Sequence, residues 1–125
     1  MAAPGTIIGW QLDREQRDQL LARFAPRYAD ILADHVTLAT AAASVALPRP
    51  VEAAIVGHAD DGDSLEAMVV AINGTTERPD GSTFHISWSL DKAKGRRARE
   101  SNDLLRHGWT RFDRPIAIRV EPARF

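Results

Sequence analysis

Two short stretches, "HVTL" at 35–38 and "HISW" at 85–88, each set an imidazole and a hydroxyl two residues apart. Side chains alternate across a strand, so His35 and Thr37 share one face, and His85 and Ser87 share another. Val36, Leu38, Ile86 and Trp88 then point the opposite way, towards a core. Two imidazoles and two hydroxyls suit attack on a phosphodiester. Imidazole titrates near pH ~6.5, so one ring can be neutral while the other is charged. The neutral ring takes a proton from the nucleophile and the charged ring gives one to the leaving oxygen. Each such transfer is worth about 10²–10⁴ in rate. Thr37 and Ser87 donate hydrogen bonds to the non-bridging oxygens where charge builds. No metal is needed for these steps.

One His-x-Ser/Thr triplet carries little weight, because a strand histidine is commonly a hydrogen-bonded structural residue. Two triplets, both in β-rich contexts, carry more. The elements around them must place the pair. "TIIGWQL" reads as a strand. Asp13 then caps a helix that runs to about Phe24, with Gln16 as the fourth residue of a capping-box variant. Leu20, Leu21 and Phe24 form its apolar face, Arg14, Arg17 and Asp18 lie outside, and Pro26 ends it. Tyr28, Ile31 and Leu32 form a further helical turn or an extended lead-in to the first histidine strand. "AAASVALPRP" is a connection. "VEAAIVGHA" and "SLEAMVVAI" are strands joined by the turn "DDGD", a hairpin. The loop "NGTTERPDGS" leads to the second histidine strand. "RRARESNDLLRHG" suits a helix with Ala98, Ser101 or Asn102, and Leu105 inward, stopped by Gly108. "PIAIRVEP" alternates Ile116, Ile118 and Val120 as one last half-buried strand.

Lys92 and Arg96, in the basic run "DKAKGRRAR", lie nearest the second strand and are candidate contacts to a nucleic-acid phosphate. Trp10 is a candidate for stacking on a base; Trp88 faces away from His85 and reads as core. His58 with Asp60, Asp61 and Asp63 lacks the pattern of a calcium loop, so hairpin-turn chemistry accounts for it and no metal site is expected. His107 suits a helix C-terminus. No G-x-S-x-G, P-loop or G-x-G-x-x-G motif occurs, which leaves acyl-hydrolase, nucleotide-loop and Rossmann chemistry unsupported.

The 125 residues are 44% apolar, enough for one domain spanning 1–125 with a real core. A net charge of −1 supplies no global field for nucleic acid, so an RNA contact has to be local. With no cysteine, thiol and thiolate-metal chemistry are excluded. That absence, with no leader pattern and no long apolar run, fits a cytoplasmic protein with no membrane contact.

"HVTL" and "HISW" resemble the paired motifs of the two-histidine phosphoesterase superfamily. Its members include the cyclic phosphodiesterase domains of fungal and plant tRNA ligases and bacterial RNA 2′,3′-cyclic phosphodiesterases. "HISWSLDKAKGRRARESNDLL" is similar to the segment that follows the second motif in the tRNA-ligase type. "VEAAIVGHADDGDSLEAMVVAI" is similar to the hairpin between the motifs. The resemblance implies an α+β, compact bilobal fold, with antiparallel sheets around a central groove and helices packed outside. It implies opening of a 2′,3′-cyclic phosphate without cofactor or metal. His35 and His85 become the acid–base pair, and Thr37 and Ser87 the phosphate ligands. The partner is a nucleotide or RNA terminus bearing a cyclic phosphate, with a functional link to an RNA kinase or ligase in repair or processing. The alternative is a non-catalytic nucleotide- or RNA-end-binding module on the same scaffold.

Overall fold

The structure is a computed structural model and describes residues 5–42 and 44–125. Residues 1–4, part of the stretch read for a leader, and Ala43, inside the expected connection, lie outside the described residues. The elements run β1 (Ile7–Leu12), α1 (Arg14–Arg23), β2 (Asp30–Ile31), β3 (His35–Thr40), β4 (Ala53–Asp60), β5 (Leu65–Ile72), β6 (His85–Leu90), α2 (Ser101–Arg106), β7 (Thr110–Ile118) and β8 (Val120–Arg124). They build a three-stranded sheet, β3-β1-β8, and a five-stranded sheet, β2-β6-β5-β4-β7. Every pairing is antiparallel. The α+β class and the two antiparallel sheets are as expected.

Asp13 caps α1 by accepting the Gln16 N–H at 3.0 Å. The Gln16 side chain does not return to the cap. Its amide donates to the Ala117 carbonyl at 3.0 Å and accepts the Arg119 N–H at 2.6 Å. The Asp13 N–H takes the Arg119 carbonyl at 2.9 Å. Both backbone groups of Arg119 are thus spent on the start of α1, and no sheet ladder can run through it. The "PIAIRVEP" stretch is therefore two strands: β7 ends beside β4, and β8 begins beside β1. The expected helix over 96–107 is also shorter. A 3₁₀ turn at Ala98–Glu100 precedes α2, and the Glu100 carboxylate accepts the Arg97 N–H at 2.9 Å. Gly108, at φ 114°, ends it as expected.

The larger apolar cluster joins Trp10, Leu12 and Val36 of the three-stranded sheet to Met68, Val70, Ile86 and Trp88 of the five-stranded sheet, with Leu20 of α1. Each such side chain contributes about 1.5–3 kcal/mol on burial. A smaller cluster on the other face holds Val56, Ala59, Val69 and, from α2, Leu105. Val69 lies directly across from His85, and cross-strand partners share a face. So α2 packs on the sheet face that carries His85, while α1 packs on the main core through Leu20.

Candidate active site

The two histidine strands meet because one segment of chain serves both sheets. Asp30 and Ile31 pair with Leu90 and Ser89 of β6. Leu32 and Ala33 continue this contact, donating to the Trp88 and Ser87 carbonyls at 2.9 Å each. In an antiparallel pair each step forward meets one step back. This segment brings β3 alongside β6, with His35 near enough for its charge to act on the His85 ring. The chain peels away at Ala33, whose φ of 48° is the left-handed region, costing a non-glycine residue about 1–2 kcal/mol. It then joins β1, with Gln11 opposite His35 and Gly9 opposite Thr37. Arg17 bonds the Ala33 and Leu32 carbonyls at 2.9 Å each, and Arg14 bonds the Asp34 carbonyl at 2.9 Å. These two arginines, expected on the outer face of α1, instead brace the corner from which His35 projects.

The His35 Nδ1 lies 2.8 Å from Asp34 Oδ2. A carboxylate only accepts, so Nδ1 carries the hydrogen and Nε2 is left for chemistry. Asp34 also accepts from Arg14 Nη1 at 2.9 Å. Burial works against the Asp34 charge, but the bonds from His35 and Arg14 outweigh it and hold the carboxyl below its ordinary range. The Phe125 ring stacks on the imidazole, with centroids 4.0 Å apart and planes at 21°. Its backbone is held by an N–H bond to the Ile7 carbonyl at 2.8 Å. Thr37 is half-buried, and its hydroxyl makes no hydrogen bond among the described residues.

His85 is 9% exposed. Its Nδ1 lies 2.8 Å from the Thr83 carbonyl, another acceptor, so here too Nε2 is left over. Burial pushes this imidazole below its usual value. Positive Arg78 and neighbouring His35 act the same way, against the Thr83 bond, which favours the proton. Ser87 departs from its expected role as a phosphate ligand. Its Oγ donates to the Ala98 carbonyl at 3.1 Å and lies 2.9 Å from Ser101 Oγ. Its hydroxyl holds α2 and offers no donor to a phosphate in this arrangement. Ser101 is fully buried, and a buried hydroxyl needs a partner.

Trp10 does not border a groove. It is 3% exposed, packs edge-on against Phe84 with centroids 6.1 Å apart, and donates to the Arg49 carbonyl, so it has no face for a base. Arg96 is spent internally on Asp61 at 2.6 Å, Glu100 at 2.7 Å and Ser64 at 2.7 Å. Lys94 pairs with Asp63 at 2.9 Å. The acidic turn "DDGD" is the partner of two of the five cations in the basic run, Lys94 and Arg96, a complementarity legible in the residue types. Lys92 is exposed, while Arg97, Arg99 and Asn102, with the carboxylates of Glu100 and Asp103, line an open groove of about 680 Å³. Asn102 bonds Arg78 at 3.0 Å, so the groove adjoins the His85 side of the pair. His58 bonds Glu66 at 2.9 Å, and His107 bonds the Asp103 carbonyl at 2.8 Å. Among the described residues no cluster of three or more His, Asp or Glu side chains could hold a metal.

Asp34, Phe125 and Arg78 escaped the sequence reading. Asp34 directly precedes the histidine, and a carboxylate beside a candidate acid–base residue is a usable signal. The other two are brought in from distant segments. Among the described residues no helix is long and apolar enough to cross a membrane. Compared with protein-family models, with curated proteins and with solved structures, the chain matches none.

Proposed function

We propose that this chain is a metal-independent phosphodiesterase of the two-histidine phosphoesterase kind, hydrolysing 2′,3′-cyclic phosphates on RNA ends or small nucleotides. The observation that carries this reading is the packing of β3 against β6, which brings the two imidazoles near each other with Nδ1 committed and Nε2 unbonded on each ring. The environments support a division of roles. Buried His85, beside Arg78, is held neutral and takes the proton from water. The water oxygen bonds to phosphorus as the ring P–O bond breaks. His35, backed by the Asp34 carboxylate, passes its proton to the departing 2′ or 3′ oxygen. The Thr37 hydroxyl donates to a non-bridging oxygen as charge builds there.

The test is turnover of 2′,3′-cyclic mononucleotides and of a short RNA with a cyclic end, in excess chelator. Expected are monoester product and a loss of about 10²–10⁴ in each of His35→Ala and His85→Ala. Undiminished turnover in both variants defeats the assignment. One observation favours the second reading, a binding module without turnover: the Ser87 hydroxyl is spent on α2. Calorimetric binding of the cyclic nucleotide with no product formed supports that reading over the first.

A further inference from the structure

The loop before β6 contains a buried arginine that the acid–base scheme does not use. "RPDG" folds as a turn, with the Gly81 N–H on the Arg78 carbonyl at 2.8 Å and Gly81 at φ 89°. Pro and Gly suit their places in that turn. The turn throws the Arg78 side chain inward, to 9% exposure. A buried guanidinium must have its donors met. Nε donates to Ser82 Oγ at 2.7 Å and to Asp80 at 3.3 Å, and Nη2 to Asn102 at 3.0 Å. Nη1 donates to the Thr37 carbonyl at 3.4 Å, the longest and weakest of the set. The partners come from the loop itself, from α2 and from β3.

We propose that Arg78 is a positioning residue for the phosphodiesterase site: its fork ties the loop before β6 and the helix α2 to the Thr37 backbone, and so sets the stance of His85 towards His35. This role rests on the phosphodiesterase activity proposed above. Among the described residues no other side chain hydrogen-bonds to all three of these segments. The Arg78 charge is incompletely matched, because its one carboxylate partner, Asp80, is a long 3.3 Å away and 62% exposed. The field of the guanidinium therefore reaches the His85 ring. The groups around that ring are His35 from β3, Arg78 with Asp80 from the loop, apolar Val69 from β5 and, through Arg78, uncharged Asn102 from α2. Arg78 and His35, the two groups whose charge acts on the ring, are cationic when protonated, so both favour its neutral form.

The test compares the full chain with Arg78→Met, Arg78→Lys and Asn102→Ala. The His85 titration is read by NMR, and kcat and KM are followed against pH on a cyclic mononucleotide. In Arg78→Met the His85 midpoint and the acidic limb of kcat/KM both move to higher pH, and kcat at neutral pH falls about 10²-fold from misplacement. Arg78→Lys keeps the charge and loses the fork, so kcat falls while the limb stays. Asn102→Ala lowers kcat at unchanged KM, again with an unmoved limb. A folded Arg78→Met with wild-type kcat overturns the proposal, whatever its midpoint. Should Arg78→Met not fold, wild-type kcat in both other variants overturns it. A wild-type chain that turns over no cyclic phosphate defeats the phosphodiesterase reading, and His85 and Thr37 resonances left unmoved by Arg78→Met then overturn the positioning role separately.

Discussion

The two histidine strands look alike as text and differ as environments. β3 is an edge strand of the small sheet, where His35 keeps 29% of its side chain exposed. Its ring is held by Phe125 and by Asp34, whose carboxylate also accepts from Arg14. β6 is an inner strand of the large sheet, and His85 is buried there against the neutral Thr83 carbonyl, within the field of buried Arg78. A carboxylate backs one ring and a guanidinium faces the other. Opposite surroundings are how two chemically identical groups acquire opposite duties in proton transfer.

The largest effect that can break this comparison is in the pH profile. Wild-type kcat/KM is expected to be bell-shaped, as for two coupled sites. On the proposed roles, the acidic limb is assigned to His85. Its folded-state value is depressed, so the ring is neutral and competent above that value and is lost as base when pH falls through it. The limb therefore lies below the ordinary imidazole range near ~6.5. His85→Gln is expected to abolish the acidic limb along with about 10²–10⁴ of the rate. Survival of that limb in His85→Gln reverses the roles.

The hydroxyls come next. Thr37→Val should cost about 10² in kcat, since that hydroxyl has no other duty among the described residues. Ser87→Ala should cost less in rate and about 1 kcal/mol in urea-unfolding stability, because it unties α2. Equal rate losses with no stability change would restore Ser87 as a phosphate ligand.

A third test uses two glycines. A Cβ on Gly9 would strike the Val36 carbonyl of β3, and one on Gly57 would strike the Trp109 ring and the Thr110 carbonyl. Both alanine variants are expected to lose about 1–3 kcal/mol by overpacking, read by denaturant unfolding. Only Gly9→Ala, which displaces the strand carrying His35 and Thr37, should also lower the turnover of the folded fraction. Equal turnover in the two variants uncouples β3 from the site.

The smallest effect concerns the groove. If an RNA end lies along Arg97 and Arg99, changing either to Ala reduces the salt slope of RNA binding by about 0.7 for each phosphate that is no longer neutralised. Mononucleotide kinetics stay as they are. An unchanged slope moves the RNA path elsewhere.

Much of the scaffold was legible because alternation, caps and turns are local. The two strands, the Asp13 cap, the "DDGD" hairpin and the Gly108 stop follow from neighbours within a few residues. Where expectation and structure part, a distant group had taken over a local one. Gln16 left its cap for the β7–β8 junction, so that one expected strand became two. Asp61 and Asp63 claimed Arg96 and Lys94, and the Arg49 carbonyl and Phe84 claimed Trp10.

The sequence by itself determined which residues can exchange protons and that each sits on a strand with an apolar back, because both properties reside in side-chain type and period. Only the tertiary structure decided that the two strands, from different sheets, lie against each other and that burial and Arg78 favour the neutral His85 ring. That depends on a single segment pairing with β6 and then turning at Ala33 to pair with β1, and on Arg78 and Phe125 arriving from remote parts of the chain. Spacing along a polypeptide carries no record of which charge will stand beside a buried ring.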